Sequence, residues 1–248
     1  MNAHHSRSKG ATFGGALVGG AALSAYLLPG LAGASSARGA PLLPQLRRTL
    51  GIEDRTASGR GYALTFDDGP HPQGTPAVLE VLAAAHVHAT FFLVGEQVRR
   101  NPALAREILD GGHLLALHCD RHRNLLRLTP RQVREDIARA QDTIEAASGQ
   151  AMTLYRPPYG VLNACALELA RRRAWRVLLW RRWGRDWQAR ATPESISESV
   201  AAGARQGDVL LLHDADDYSA PGSWRRTAAA LPRVLEALAE RGLEPVFP

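Results

Sequence analysis

Cysteine is scarce in this chain: two, Cys119 and Cys165, among 248 residues. That is too few for a disulfide framework, and their spacing excludes a CxxC zinc knuckle or redox motif. A single bridge would need a fold that brings the two together. Aromatic residues make up only 6%, and no stripe of them is interleaved with basic side chains, so nucleic acid is not an expected partner. No GxGxxG, GKS or GKT follows an apolar run, which counts against a nucleotide fold. No hairpin turn joins one apolar run to the next, so the strands should pair in parallel. The basic residues are nearly all arginine, scattered along helical stretches. A net charge of +6 and a pI of about 10.0 permit attraction to anionic partners, but read first as a solvated basic surface.

What is present is ordinary for a soluble globular protein: 45% hydrophobic and 22% charged residues. The length suits one good-sized domain plus a tail, and a monomer is expected. Arg7 and Lys9 precede an uncharged run that reaches to Arg38. A basic start and an apolar stretch of about 20 residues or more mark residues 1–37 as a cleaved signal peptide or a retained membrane anchor. Either places the rest of the chain outside the cytoplasmic membrane. Residues 38–60 read as a linker holding one amphipathic piece, "LLPQLRRTLGIED". The main domain is expected over 61–248.

From residue 61 short apolar runs alternate with helical periodicity. Strands are expected at 62–66, 89–95, 113–118, 153–160, 176–180, 208–214 and 243–247. Between them lie helices at 75–85, 101–112, 129–149, 163–173, 192–207 and 223–242, several opened by Thr-Pro or Asn-Pro. About seven parallel strands with intervening helices make either an open doubly wound sheet or a barrel.

The chemically able residues fall at the C-terminal ends of these strands. Asp67 and Asp68 follow the first, His118 and His122 the third, Arg156 and Tyr159 the fourth, Asp186 and Trp187 the fifth, and His213 and Asp214 end the sixth. In both candidate folds those ends meet on the face that carries active sites. Two histidines four apart can meet one ion if the loop makes a helical turn, and a carboxylate from another strand would be a third ligand. That set leaves a coordination position open for water, the pattern of a hydrolytic metal site. Asp67 and Asp68 cannot easily point the same way in extended chain, so one can bind metal while the other takes a proton from water. Arg156 could hold that base ionised through a bidentate pair. His213 could protonate a leaving group.

The runs "TFDDGPH" (65–71), "HCDRH" (118–122), "RPPYG" (156–160), "RDW" (185–187) and "LLLHD" (210–214) resemble, in order and spacing, those of the polysaccharide deacetylases. This is the NodB-homology family, carbohydrate esterase family 4. The resemblance spans residues 61–247. It implies a distorted (β/α) barrel and a divalent metal, Zn2+ or another such as Co2+. It implies removal of N-acetyl groups from chitin-like chains or peptidoglycan, or of O-acetyl groups from xylan. Residue by residue, it implies that Asp67 is the base, with Asp68, His118 and His122 as metal ligands. Arg156 would orient the base, and the Tyr159 backbone amide would meet the oxyanion. His213 would be the general acid tuned by Asp186, with Trp187 and Leu211 walling an acetyl-methyl pocket.

Two positions depart from the family pattern. Cys119 stands where Ser or Thr usually braces the loop, and is either a weak substitute or an extra soft ligand. Trp183 stands where an acid is common. These departures motivate a rival reading, a glycan-binding protein with impaired catalysis. Asp120 is expected to face solvent or a loop partner. Cys165 is expected to pack in the core. His71, His86, His88 and His113 are read as structural, with His71 at the edge of the groove.

Overall fold

The computed structural model describes residues 43–248. The expected signal or anchor at 1–37 lies outside them. Among the described residues no helix is long and apolar enough to cross a membrane.

Eight strands form one sheet: β1 (Ile52–Glu53), β2 (Tyr62–Asp67), β3 (Thr90–Val94), β4 (Leu114–Cys119), β5 (Leu154–Tyr155), β6 (Arg176–Leu178), β7 (Arg182–Trp183) and β8 (Asp208–His213). Their order is β1-β6-β5-β4-β3-β2-β8-β7, and every pairing is parallel. β1 and β7 do not pair with each other, so the sheet curls as a half-barrel without hydrogen-bonded closure. β2 and β3 are buried at every position, as expected of parallel strands covered on both faces.

Among the described residues eight α-helices accompany the strands: α1 (Leu43–Leu50), α2 (Gly74–Ala84), α3 (Gly95–Arg100), α4 (Pro102–Asp110), α5 (Pro130–Ser148), α6 (Ala164–Arg172), α7 (Pro193–Ala201) and α8 (Ser223–Glu240). Thr129 and Thr192 open α5 and α7 with capping boxes, as their Thr-Pro starts suggest. At α2 the expected Thr-Pro cap fails. The helix starts one residue earlier, and the Thr75 hydroxyl instead donates to the buried Asp214 carboxylate at 2.5 Å. Asn101 precedes α4 without a side-chain cap.

Three other expectations are corrected. The run 243–247 is not a strand. Only Pro245 bridges to Tyr62, and a proline has no N–H to extend a ladder. Two strands come instead from unexpected places. β7 follows the fifth expected strand, and β1 comes from the amphipathic piece of the stretch read as a linker. β1 pairs with β6, and the preceding helix α1 packs on it. Both cysteines are free.

Registration carries the site. Asp67 and His213 are lateral partners at the C-terminal ends of β2 and β8, and Trp183 pairs with Leu211 between β7 and β8.

Candidate active site

Asp68, His118 and His122 converge, with ligand atoms all within 4.8 Å of one another. Asp68 Oδ1 lies 3.5 Å from His118 Nε2 and 3.3 Å from His122 Nε2. No helical turn is involved. His118 is the penultimate residue of strand β4, and a bend at 120–121 returns His122 to its side. Asp68 sits in the left-handed region (φ 79°). This turn lets both Asp67 and Asp68 line the same cavity, against the expectation for extended chain.

The donors suit a cation. His118 Nδ1 lies 2.7 Å from the Arg156 carbonyl, which can only accept, so Nδ1 carries the proton and Nε2 offers its lone pair. Asp68 Oδ1 is buried without a hydrogen-bond partner. Burial works against its charge, yet the imidazoles of His118, His122 and His213 hold the carboxyl below its usual range. Burial lowers the His122 pKa to about 4 against the pull of Asp68, leaving a neutral imidazole, the form that ligates. A buried carboxylate oxygen without a proton donor, facing two imidazole nitrogens, fits a divalent cation.

Arg156 is fully buried. Its pairing with Asp67 is not bidentate. Nη1 donates to Asp67 Oδ1 at 2.6 Å and to Thr65 Oγ1 at 2.9 Å, while Nε and Nη2 donate to the carbonyls of Leu178 and Leu179. The guanidinium also lies 3.9 Å from the Phe92 ring centroid. Locked by four acceptors and a ring, it fixes one oxygen of Asp67 and leaves the other to act.

His213 Nδ1 and backbone N–H both meet Asp186, at 2.9 and 2.7 Å. The Thr227 hydroxyl donates to the same carboxylate at 2.8 Å. Burial opposes the imidazolium, but Asp186 outweighs it and raises the His213 pKa to about 10. The ring is therefore a protonated donor at neutral pH.

Asp67, Asp68, His118, His122 and His213 open into one cavity of about 220 Å³, lined also by Tyr159, Trp187 and Leu211, as expected, and by Trp180, Trp183, Tyr218 and Ser219. Trp180, Trp183, Trp187 and His213 follow one another at centroid spacings of 5.8, 5.0 and 5.5 Å. Trp183 thus extends an aromatic wall. Tyr159 occupies a left-handed turn (φ 59°) and is 57% exposed. At the next residue a Cβ would lie 2.8 Å from the Trp180 ring, so only glycine fits at 160.

Cys119 is buried and outside the cluster of metal donors. Burial, and then the nearby acids led by Asp136, push its thiol well above the usual range, which disfavours the thiolate a metal would require. The loop is braced from elsewhere. Asp136 of α5 accepts from the backbone N–H groups of Asp120 and Arg121 and from Arg123 Nη2, at 2.9, 3.3 and 2.6 Å. Asp120 is buried, not solvated, and receives Arg99 Nη1 at 2.6 Å. Cys165 is half-buried against the core edge beside Arg134. His71 is not part of the cavity wall. Its Nδ1 accepts from Gln73 and Gly74 at the start of α2, and its Nε2 faces Asp216.

Sequence reasoning missed Thr65, Asp136, Thr227 and Tyr218. Thr65 had a visible signal, a hydroxyl two residues before Asp67 on the same face of an otherwise apolar strand. The others lie on helices or in a long loop, where nothing local marks them.

Comparison with known proteins places the chain in a family. The polysaccharide deacetylase family matches residues 54–177. A peptidoglycan-N-acetylglucosamine deacetylase of Bacillus cereus is 34% identical, over 73% of this chain and 82% of the relative. A chitooligosaccharide deacetylase of Bradyrhizobium sp. is 36% identical, over 75% of this chain and 87% of the relative. The solved family 4 carbohydrate esterase from Streptomyces lividans, in complex with acetate, superposes with a TM-score of 0.66 at 33% identity, covering 74% of this chain and 90% of that one. With its curled parallel sheet and its acid–histidine cavity, this chain belongs to the polysaccharide deacetylase family, the carbohydrate esterase family 4 hydrolases with a NodB homology domain.

Proposed function

We propose that this protein removes N-acetyl groups from N-acetylglucosamine-containing polysaccharide, peptidoglycan or a chitin-like chain, in a metal-dependent hydrolysis. Residues 1–37 carry the domain out of, or hold it to, the cytoplasmic membrane, and 61–248 hold the catalytic machinery. Asp68, His118 and His122 hold the cation, zinc or another divalent such as cobalt. Bound there, it supplies Lewis acidity toward the carbonyl oxygen and makes water a stronger acid.

The observation that carries this reading is that a fixed carboxylate, a three-donor cluster and a carboxylate-backed histidine face one cavity. Asp67, with one oxygen held by Arg156, takes the proton of the attacking water on the other. His213, its Nδ1 held by Asp186, gives the Nε2 proton to the departing amine. The turn at Tyr159 offers its main-chain N–H to the developing oxyanion. Trp187 and Leu211 enclose the acetyl methyl. The acetate complex of the Streptomyces lividans relative supports acetate as the product.

The test is acetate release from chitooligosaccharide, peptidoglycan and acetylxylan by metal-stripped and zinc-restored protein. Release from the N-acetylated substrates should vanish on stripping and return with zinc. Asp67→Asn should lower the rate by about 10²–10⁴. Release from acetylxylan alone would make the protein an O-acetyl esterase. Glycan binding with no release from any substrate would make it a binding module.

A further inference from the structure

The two imidazoles of the cluster are held differently. His118 has its second nitrogen tied to the Arg156 carbonyl. His122 Nδ1 is buried and has no hydrogen-bond partner. What orients the His122 ring is packing. Tyr159 meets it edge-on, with centroids 4.5 Å apart and planes at 65°. Tyr218 lies nearly parallel to it, at 4.6 Å and 18°. Tyr159 is itself largely exposed, whereas Tyr218 is pinned. Its hydroxyl donates to Glu96 Oε1 at 2.6 Å and accepts from Gln97 Nε2 at 3.2 Å. Both partners belong to α3. The Glu96 backbone N–H also donates to the Asp120 carbonyl at 3.0 Å, in the loop that carries His122. One helix therefore holds the His122 loop and the ring stacked on His122.

We propose that Tyr218 is a positioning residue of the metal centre: its ring, pinned by Glu96 and Gln97, holds the His122 imidazole with Nε2 turned toward Asp68 and His118. This rests on the metal reading given above. Ligating histidines are ordinarily oriented by a hydrogen bond from the distal nitrogen. His122 lacks one, and an imidazole oriented by packing alone is held less firmly once one of its two flanking rings is removed. Tyr218 comes from the loop between β8 and α8, distant in sequence from β4. The stack thus also ties the cavity rim at Tyr218 and Ser219 to the cation's ligand.

The experiment measures zinc affinity by competition with a chelating dye, and the visible absorption of the cobalt-loaded protein. The proteins are the wild type, Tyr218→Leu, Tyr218→Phe, Glu96→Ala and His122→Ala. Tyr218→Leu should bind zinc about tenfold or more weakly and shift the cobalt bands. Tyr218→Phe keeps the ring but loses both bonds that pin it, and should fall between Tyr218→Leu and wild type, about threefold weaker than wild type. Glu96→Ala removes one of the two pins and should weaken binding, though by no more than Tyr218→Phe does. Melting of the metal-free proteins shows whether each variant folds, and Glu96→Ala decides the matter if Tyr218→Leu does not. Wild-type zinc affinity and cobalt spectrum in both Tyr218→Leu and Glu96→Ala would overturn the proposal alone. Equal zinc binding by wild type and His122→Ala would overturn the metal reading beneath it.

Discussion

His213 and Asp186 show how one contact sets the protonation of the group proposed as general acid. Burial by itself would favour a neutral imidazole, and the adjoining carboxylate reverses that, to a pKa of about 10. A general acid must be protonated to act, so the rate should fall as pH rises through the His213 pKa. Asp186→Asn keeps the volume and removes the charge that favours imidazolium. The alkaline limb of the kcat/KM profile should then move to lower pH, and a profile that does not move would remove Asp186 from this role. Arg156 and Asp67 carry a different lesson. The pairing of an arginine with an acid was readable from "TFDD" and "RPPYG". Its single-oxygen geometry was not, because it depends on carbonyls of β6 and the residue after it that claim the other nitrogens.

At the scale of elements, α5 does more than cover the sheet. Its amphipathic pattern, Thr-Pro start and glycine stop at Gly149 were legible in the sequence. The work of Asp136 was not, because a single acid on a buried helical face looks like any other until the His118–Arg123 loop is placed against it. Asp136→Ala strands two backbone N–H groups and the Arg123 guanidinium. It should cost about 2–3 kcal/mol in urea unfolding and loosen the loop that carries His122. A loss confined to a few tenths would show that the loop is braced elsewhere. The two-residue strands β1 and β7 escaped sequence reading for a related reason. They are too short to show periodicity, and only the neighbours β6 and β8 make them strands.

For the whole molecule, the cluster joins residues some fifty positions apart, so a bound cation crosslinks β2 to the loop after β4. Binding only to the folded state stabilises it, by about 2.7 kcal/mol at a hundredfold excess over Kd. Zinc should therefore raise the melting temperature and a chelator lower it, and Asp68→Asn should lose most of that zinc-dependent rise. A zinc-induced rise that is unchanged in Asp68→Asn would place the cation elsewhere.

The sequence by itself determined the class of fold and the inventory of candidate site residues. Apolar runs without hairpin turns require a parallel sheet, and strand-end motifs put Asp67, Asp68, His118, His122, Arg156 and His213 on one edge. Tertiary structure decided how those groups are held. The left-handed turn at Asp68, the single-oxygen grip on Asp67, the bracing by Asp136, the exclusion of Cys119 from the cluster and the ring of Tyr218 on His122 all come from contacts between segments far apart in the chain. The physical reason is that periodicity and turn chemistry are local, while orientation, burial and charge coupling depend on what lies across the cavity.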